Sequence, residues 1–228
     1  MKLRGVLFDL DGTLVDQEGA VDVALRSWLP ELGVEPTAAV LERWRACQER
    51  HLVAWRDREI SFTEQRRRRL RDFLPAVGVS YVDEELDDVF AGYLRAYELA
   101  WRRYDDVEEA LTLIAGAGLA VAVLTNGTSE QQNDKLSRVG LAGRVGPVYT
   151  VDDLGVAKPH AGAFLGACER WGLPPGSVLS IGDRHDLDVL AARAAGLRAV
   201  HLDRLDAGPA DERERITTLR EVDKWLGP

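Results

Sequence analysis

The sequence predicts an α/β fold, a mostly parallel sheet with helices on both faces, interrupted after its first strand by an inserted α-helical module. Three observations predict it. A short apolar run opens the chain and stops at Asp11-Gly12, a long stretch with apolar residues at three- and four-residue spacing follows, and the remainder alternates helical pattern with short apolar runs. The α/β part is expected over residues 1–15 and 102–228, and the helical module over 16–101. A chain of 228 residues accommodates one such core with one insertion.

Residues 3–10 contain Val6, Leu7 and Phe8 before the Asp11-Gly12 turn signal, so they read as a buried strand entering a tight loop with Asp9 at its C-terminal end. Residues 18–101 read as helices. Gly33-Val34-Glu35-Pro36 and residues 75–80 break them, and Thr37 and Asp83 are the expected N-caps. Beyond Tyr104-Asp105 the pattern gives a helix over 107–115, a strand over 119–124, a helix over 129–139 and a strand over 147–150. It then gives a helix over 161–171, a strand over 178–181, a helix over 187–195 and a strand over 199–202. Such alternation implies right-handed crossovers, and ligands of these sheets bind beyond the strands' C-terminal ends. Asp9, Thr125 and Asp183 all fall there, on three different strands.

The composition, 46% hydrophobic and 29% charged, is globular and leaves no polar low-complexity tract to disorder. A net charge of -9 disfavours general binding to nucleic acid or to an anionic membrane, both of which reward positive fields. The opening residues reach Asp9 too soon for a signal peptide or a membrane span, so the expectation is a soluble, cytoplasmic protein. Cys47 and Cys168 match no metal-binding spacing and are expected to be reduced thiols.

Four segments carry chemistry. In Phe8-Asp9-Leu10-Asp11-Gly12-Thr13-Leu14, two carboxylates stand one residue apart before a glycine free to adopt angles other residues avoid. A metal can hold the first as a nucleophile while the second moves a proton to or from a leaving oxygen. A plain Asp-Gly turn is the simpler reading, and a calcium loop is opposed by Leu14, which stands where that loop needs glycine. Leu124-Thr125-Asn126-Gly127 offers a hydroxyl and loop amides to a phosphate oxygen, although Asn-Gly is also a common turn. Lys158, stiffened by Pro159, is a cation suited to a phosphoryl group, although most lone lysines are merely solvated. Gly182-Asp183-Arg184-His185-Asp186-Leu187-Asp188 brings further carboxylates to a strand end, and such hard oxygen ligands suit magnesium. His185 is read as a loop residue outside the metal site.

In this order and on these elements, the four segments resemble the haloacid-dehalogenase superfamily over residues 1–14 and 104–203. The resemblance implies a Rossmann-like core with a helical cap inserted after the first strand, and a magnesium-dependent phosphatase. It implies Asp9 as the nucleophile that becomes an aspartyl-phosphate and Asp11 as general acid and then base. Thr125, Asn126 and Lys158 would bind the phosphoryl oxygens. The Asp9 side chain, the Asp11 carbonyl and Asp183 would hold Mg2+, with Asp188 orienting a water of its shell. Asp186 has no counterpart. Dehalogenases of the superfamily lack the second aspartate, so Asp11 favours phosphate chemistry. A phosphosugar mutase and a non-enzymatic module that binds phosphorylated ligands are the alternatives.

The helical stretch stands where the family's cap is inserted, and such a cap would close over the site and supply specificity. Trp44, Gln48, His51 and Trp55 recur on one helix face, either lining a pocket or, more simply, packing the module's own core. Arg66, Arg67, Arg68, Arg69 and Arg71 wrap around a helix and read as a solvated face paired with the acidic residues 83–88. Lys135 and Leu136 behind the Thr125 motif look similar to enzymes acting on nucleoside monophosphates or sugar-acid phosphates, and phosphoglycolate phosphatases share the plan. The expected partner is a small phosphorylated metabolite. Monomer and homodimer both stay open.

Overall fold

The computed structural model describes residues 1–227. The chain divides into two compact units, one made of Met1–Asp16 with the chain from Arg102 onward, the other of Gln17–Trp101.

The first unit is built on six parallel strands among the described residues: β1 (Gly5–Phe8), β2 (Ala120–Leu124), β3 (Val148–Tyr149), β4 (Val178–Gly182), β5 (Arg198–Leu202) and β6 (Arg215–Ile216). Their order is β3-β2-β1-β4-β5-β6. β1 is central, and all four of its residues are buried, as a parallel strand covered on both faces requires. Gly5 is needed there because a Cβ would stand 2.5 Å from the Trp171 ring. The α/β fold class read from the sequence is thus the observed one, with every strand pair parallel.

In the second unit, α1 (Gln17–Trp28), α2 (Ala38–Arg56), α3 (Phe62–Ala76) and α4 (Leu86–Leu99) enclose an aromatic core. Trp44 of α2 is fully buried and meets Phe73 edge-on at 5.0 Å, Trp28 at 5.5 Å and Tyr93 at 4.5 Å between ring centroids, geometries that aromatic quadrupoles favour. The stripe therefore begins as core and then turns outward. Gln48 accepts from Arg69, His51 meets Asp72, and Trp55 packs on Phe62. Thr37 caps α2 through the Val40 N–H. Asp83 caps nothing: its carboxylate takes the Arg71 guanidinium through two bonds, 3.1 and 2.7 Å, a stronger claim than one backbone amide. Arg67 likewise pairs with Asp87. Arg69 is buried rather than solvated and lies over the Trp44 and Phe90 rings.

Helices α5 (Val107–Gly116), α6 (Ser129–Arg138), α7 (Val151–Leu154), α8 (Ala161–Trp171) and α9 (Ala191–Ala194) complete the first unit. One sheet face, with Leu7, Ala122 and Leu124, packs on Ala163, Phe164 and Ala167 of α8 and on Ala191 and Ala192 of α9. The segment expected as one helix over 187–195 is instead a π-helical turn, His185–Leu190, running into α9. Cys47 and Cys168 are free and buried. Among the described residues no helix is long and apolar enough to cross a membrane.

Candidate active site

Phe8 pairs with Val123 on one side and Ile181 on the other, so the residues that follow on β1, β2 and β4 leave the sheet side by side. This is where the strand order reverses, the position at which open parallel sheets form a crevice. The Asp9 N–H still donates to the Ile181 carbonyl at 2.9 Å and the Thr125 N–H to Tyr149 at 3.0 Å. Both side chains are therefore launched from rigid strand ends.

Lys158 Nζ donates to Asp9 Oδ1 at 2.6 Å and to Asp188 Oδ1 at 2.6 Å. Asp9 Oδ2 is buried with no hydrogen-bond partner. Asp9, Asp183 and Asp188 each bring a carboxylate oxygen within 4.8 Å of the others. Burial lifts the Asp9 carboxyl to about 6, with Asp188 and Asp11 adding and Lys158 opposing. Burial, then the Asp9 and Asp188 charges, hold Asp183 well above the usual carboxylate range. For Lys158, burial would favour the neutral amine, but Asp188 and Asp9 outweigh it and raise its pKa. One ammonium does not neutralise three carboxylates. An orphaned buried oxygen among oxygen-only donors is the chemistry that a hard divalent cation satisfies, so the residues fit such an ion.

Neighbouring loops hold these groups. The Thr13 hydroxyl donates to Asp183 Oδ1 at 3.2 Å and accepts the Asp183 N–H at 3.1 Å. His201 Nε2 stands 2.9 Å from the Asp183 carbonyl. A Cβ at Gly12, where φ is +89°, would lie 2.4 Å from the Asp183 carboxylate, so glycine is required for both conformation and space. Asp188 Oδ2 accepts the Arg184 N–H at 3.0 Å. Asn126 brackets the Lys158 backbone, its amide donating to the carbonyl at 2.9 Å and its oxygen accepting the N–H at 2.7 Å. The Lys158–Pro159 peptide is cis.

Asp11 points elsewhere. Its Oδ1 takes Lys135 Nζ at 2.5 Å and its Oδ2 takes Gln132 Nε2 at 3.0 Å. Gln132 Nε2 also donates to Thr125 Oγ1 at 3.1 Å. His185 meets Glu212 at 2.9 Å and Asp186 is exposed, so neither joins the carboxylate trio. Sequence reading missed Thr13 and Gln132. For Gln132 the one signal is its spacing from Leu136: α6 is polar except for that leucine, and Gln132 and Lys135 share its buried side.

A family model for haloacid dehalogenase-like hydrolases matches residues 3–196. Phosphoserine phosphatase of Thermus thermophilus is 37% identical over 152 residues, a match spanning 61% of this chain and 61% of that protein, less than two thirds of its length. Phosphoglycolate phosphatase of Shigella boydii is 30% identical over 207 residues, covering 88% of this chain and 81% of that protein. Among solved structures, YfnB of Bacillus subtilis, bound to magnesium, shares the fold with a TM-score of 0.87 over 99% of both chains at 22% identity.

Proposed function

Because the chain belongs to the haloacid dehalogenase-like hydrolase family, we propose that this hydrolase is a magnesium-dependent phosphatase acting on a small phosphorylated metabolite through an aspartyl-phosphate at Asp9. The observation that carries the reading is Asp9 itself, which ends a rigid strand with one buried oxygen unpartnered, beside Lys158, Asp183 and Asp188. Similarity to proteins named phosphoserine and phosphoglycolate phosphatases supports the substrate class.

In the first step an Asp9 carboxylate oxygen attacks phosphorus. The bond from phosphorus to the leaving oxygen breaks, and Asp11 gives that oxygen its proton. Water then attacks the phosphorus of the aspartyl-phosphate, Asp11 takes the water's proton, and inorganic phosphate departs from a regenerated Asp9 carboxylate. Thr125, the Asn126 backbone amide and Lys158 bind the phosphoryl oxygens, and the Asn126 side chain aims Lys158 by gripping its backbone. Asp9 and Asp183 with the Asp11 carbonyl would hold Mg2+, and Asp188 backs the site through Lys158. When bound, that ion supplies positive charge that offsets the carboxylates and the transferring phosphoryl group. The helical unit takes the part of the cap that selects the organic portion of the ester.

The test is phosphate release from a panel of nucleotides, sugar phosphates and phosphoglycolate, with magnesium and with chelator, in wild type and Asp9→Asn. Magnesium-dependent release lost in the variant is the expected result. Full turnover in Asp9→Asn would remove the nucleophile assignment.

A further inference from the structure

We infer that Gln132 and Lys135 are positioning residues for the leaving-group step, together aiming the Asp11 carboxyl while Gln132 directs the Thr125 hydroxyl at the phosphoryl group. The inference rests on the phosphatase reading above and names two residues that reading does not use.

Both lie on the buried side of α6, three residues apart, Gln132 2% and Lys135 1% exposed, on a helix whose one apolar residue is Leu136. A lysine is placed so deep only against a fixed anion. Here that anion is Asp11 Oδ1 at 2.5 Å. Gln132 has two amide protons, and both are spent, one on Asp11 Oδ2 at 3.0 Å and one on Thr125 Oγ1 at 3.1 Å. Its own Oε1 is buried without a partner. An amide that leaves its acceptor orphaned in order to place both donors is oriented by those donors. Turning it over would set its oxygen against the Asp11 carboxylate.

The consequence for Thr125 follows from hydroxyl chemistry. Its oxygen accepts from Gln132 Nε2 and from the Gly127 N–H at 3.3 Å, which occupies both lone pairs and leaves its single proton for a third partner. A phosphoryl oxygen is that partner in the proposed reaction. Gly127 makes room for the arrangement, since a Cβ there would stand 1.9 Å from Gln132 Nε2. Thus one side-chain amide fixes the distance between the proton donor and a phosphoryl contact. Reacting groups misplaced by about 1 Å lose on the order of a hundredfold in rate.

The experiment compares kcat/KM for phenyl, 4-nitrophenyl and 2,4-dinitrophenyl phosphate, with magnesium, in wild type, Gln132→Leu, Lys135→Met and Lys135→Arg. Phenoxide needs a proton as it leaves, whereas dinitrophenoxide does not, so loss of Asp11 aiming falls selectively on the first ester. Gln132→Leu and Lys135→Met are expected to lose about tenfold or more on phenyl phosphate than they lose on the dinitrophenyl ester. Lys135→Arg is expected to recover part of that gap. Equal losses on all three esters, or none, would overturn the inference. If Lys135→Met does not fold, Gln132→Leu, close in volume, carries the same comparison. Wild type silent on every ester would overturn the phosphatase reading and this inference with it, a result distinguishable because the parent protein itself fails.

Discussion

At Asp9 burial and charge conflict. The carboxylate is buried among Asp183 and Asp188 with only the shared Lys158 to offset it, and its pKa stands near 6 instead of 3.8. A carboxyl whose folded pKa is raised binds its proton more tightly folded than unfolded. Its contribution is present below the unfolded pKa and is lost as pH rises through the folded one, here between 3.8 and about 6. Asp9→Asn is neutral throughout and escapes that loss. Chelator-treated Asp9→Asn is therefore expected to be more stable than wild type at pH 7.5 by about 1 kcal/mol or more, and level with it or below near pH 4, by urea unfolding. Wild type more stable at pH 7.5 would contradict the charge conflict. The legible residues at this scale were those ending an apolar run, Asp9, Thr125 and Asp183, because a strand's end is visible in sequence. Thr13 and Gln132 act through a loop and a helix face, and which side those bury is decided by packing, not by local pattern.

At the scale of elements, burial separates residues that the same periodicity groups together. Trp44, Gln48, His51 and Trp55 share one spacing, yet Trp44 is wholly buried while Trp55 is only partly so. Trp44→Ala is expected to cost about 3–5 kcal/mol of unfolding free energy, against less than about 2 kcal/mol for Trp55→Ala, measured by denaturant titration. Equal costs would show that the aromatic cluster around Trp44 is not the unit's core. Among the elements that escaped sequence reading, two show why. β6 is only two residues long and is defined by its pairing with β5, His201 opposite Arg215, a contact that no local pattern announces. The π-helical turn His185–Leu190 keeps a helical apolar rhythm, so its wider winding is hidden in sequence. That turn carries Asp188, which takes Lys158 with one oxygen and the Arg184 N–H with the other.

For the molecule as a whole, the sheet order explains why residues distant in sequence meet. Asp9 and Asp188 are held through one ammonium because β1 and β4 are neighbours at the point where the chain switches sides. The alternation of helices and apolar runs made the parallel sheet legible. The substrate was not, because the strand-end motifs bear on phosphoryl chemistry and leave the organic part of an ester unspecified. A cation at the carboxylate trio binds the folded state alone, so magnesium at about a hundred times its Kd is expected to add about 2.7 kcal/mol of stability. Asp183→Asn is expected to abolish most of that gain in a thermal-unfolding series, and a gain unchanged in Asp183→Asn would place the ion elsewhere.

The most direct test of magnesium-dependent phosphoryl transfer through Asp9 is phosphate release from the substrate panel, wild type beside Asp9→Asn, with magnesium and with chelator. Release that needs magnesium and falls by about four orders of magnitude or more in Asp9→Asn is the predicted result. Release that survives chelation, or that Asp9→Asn retains in full, would contradict it.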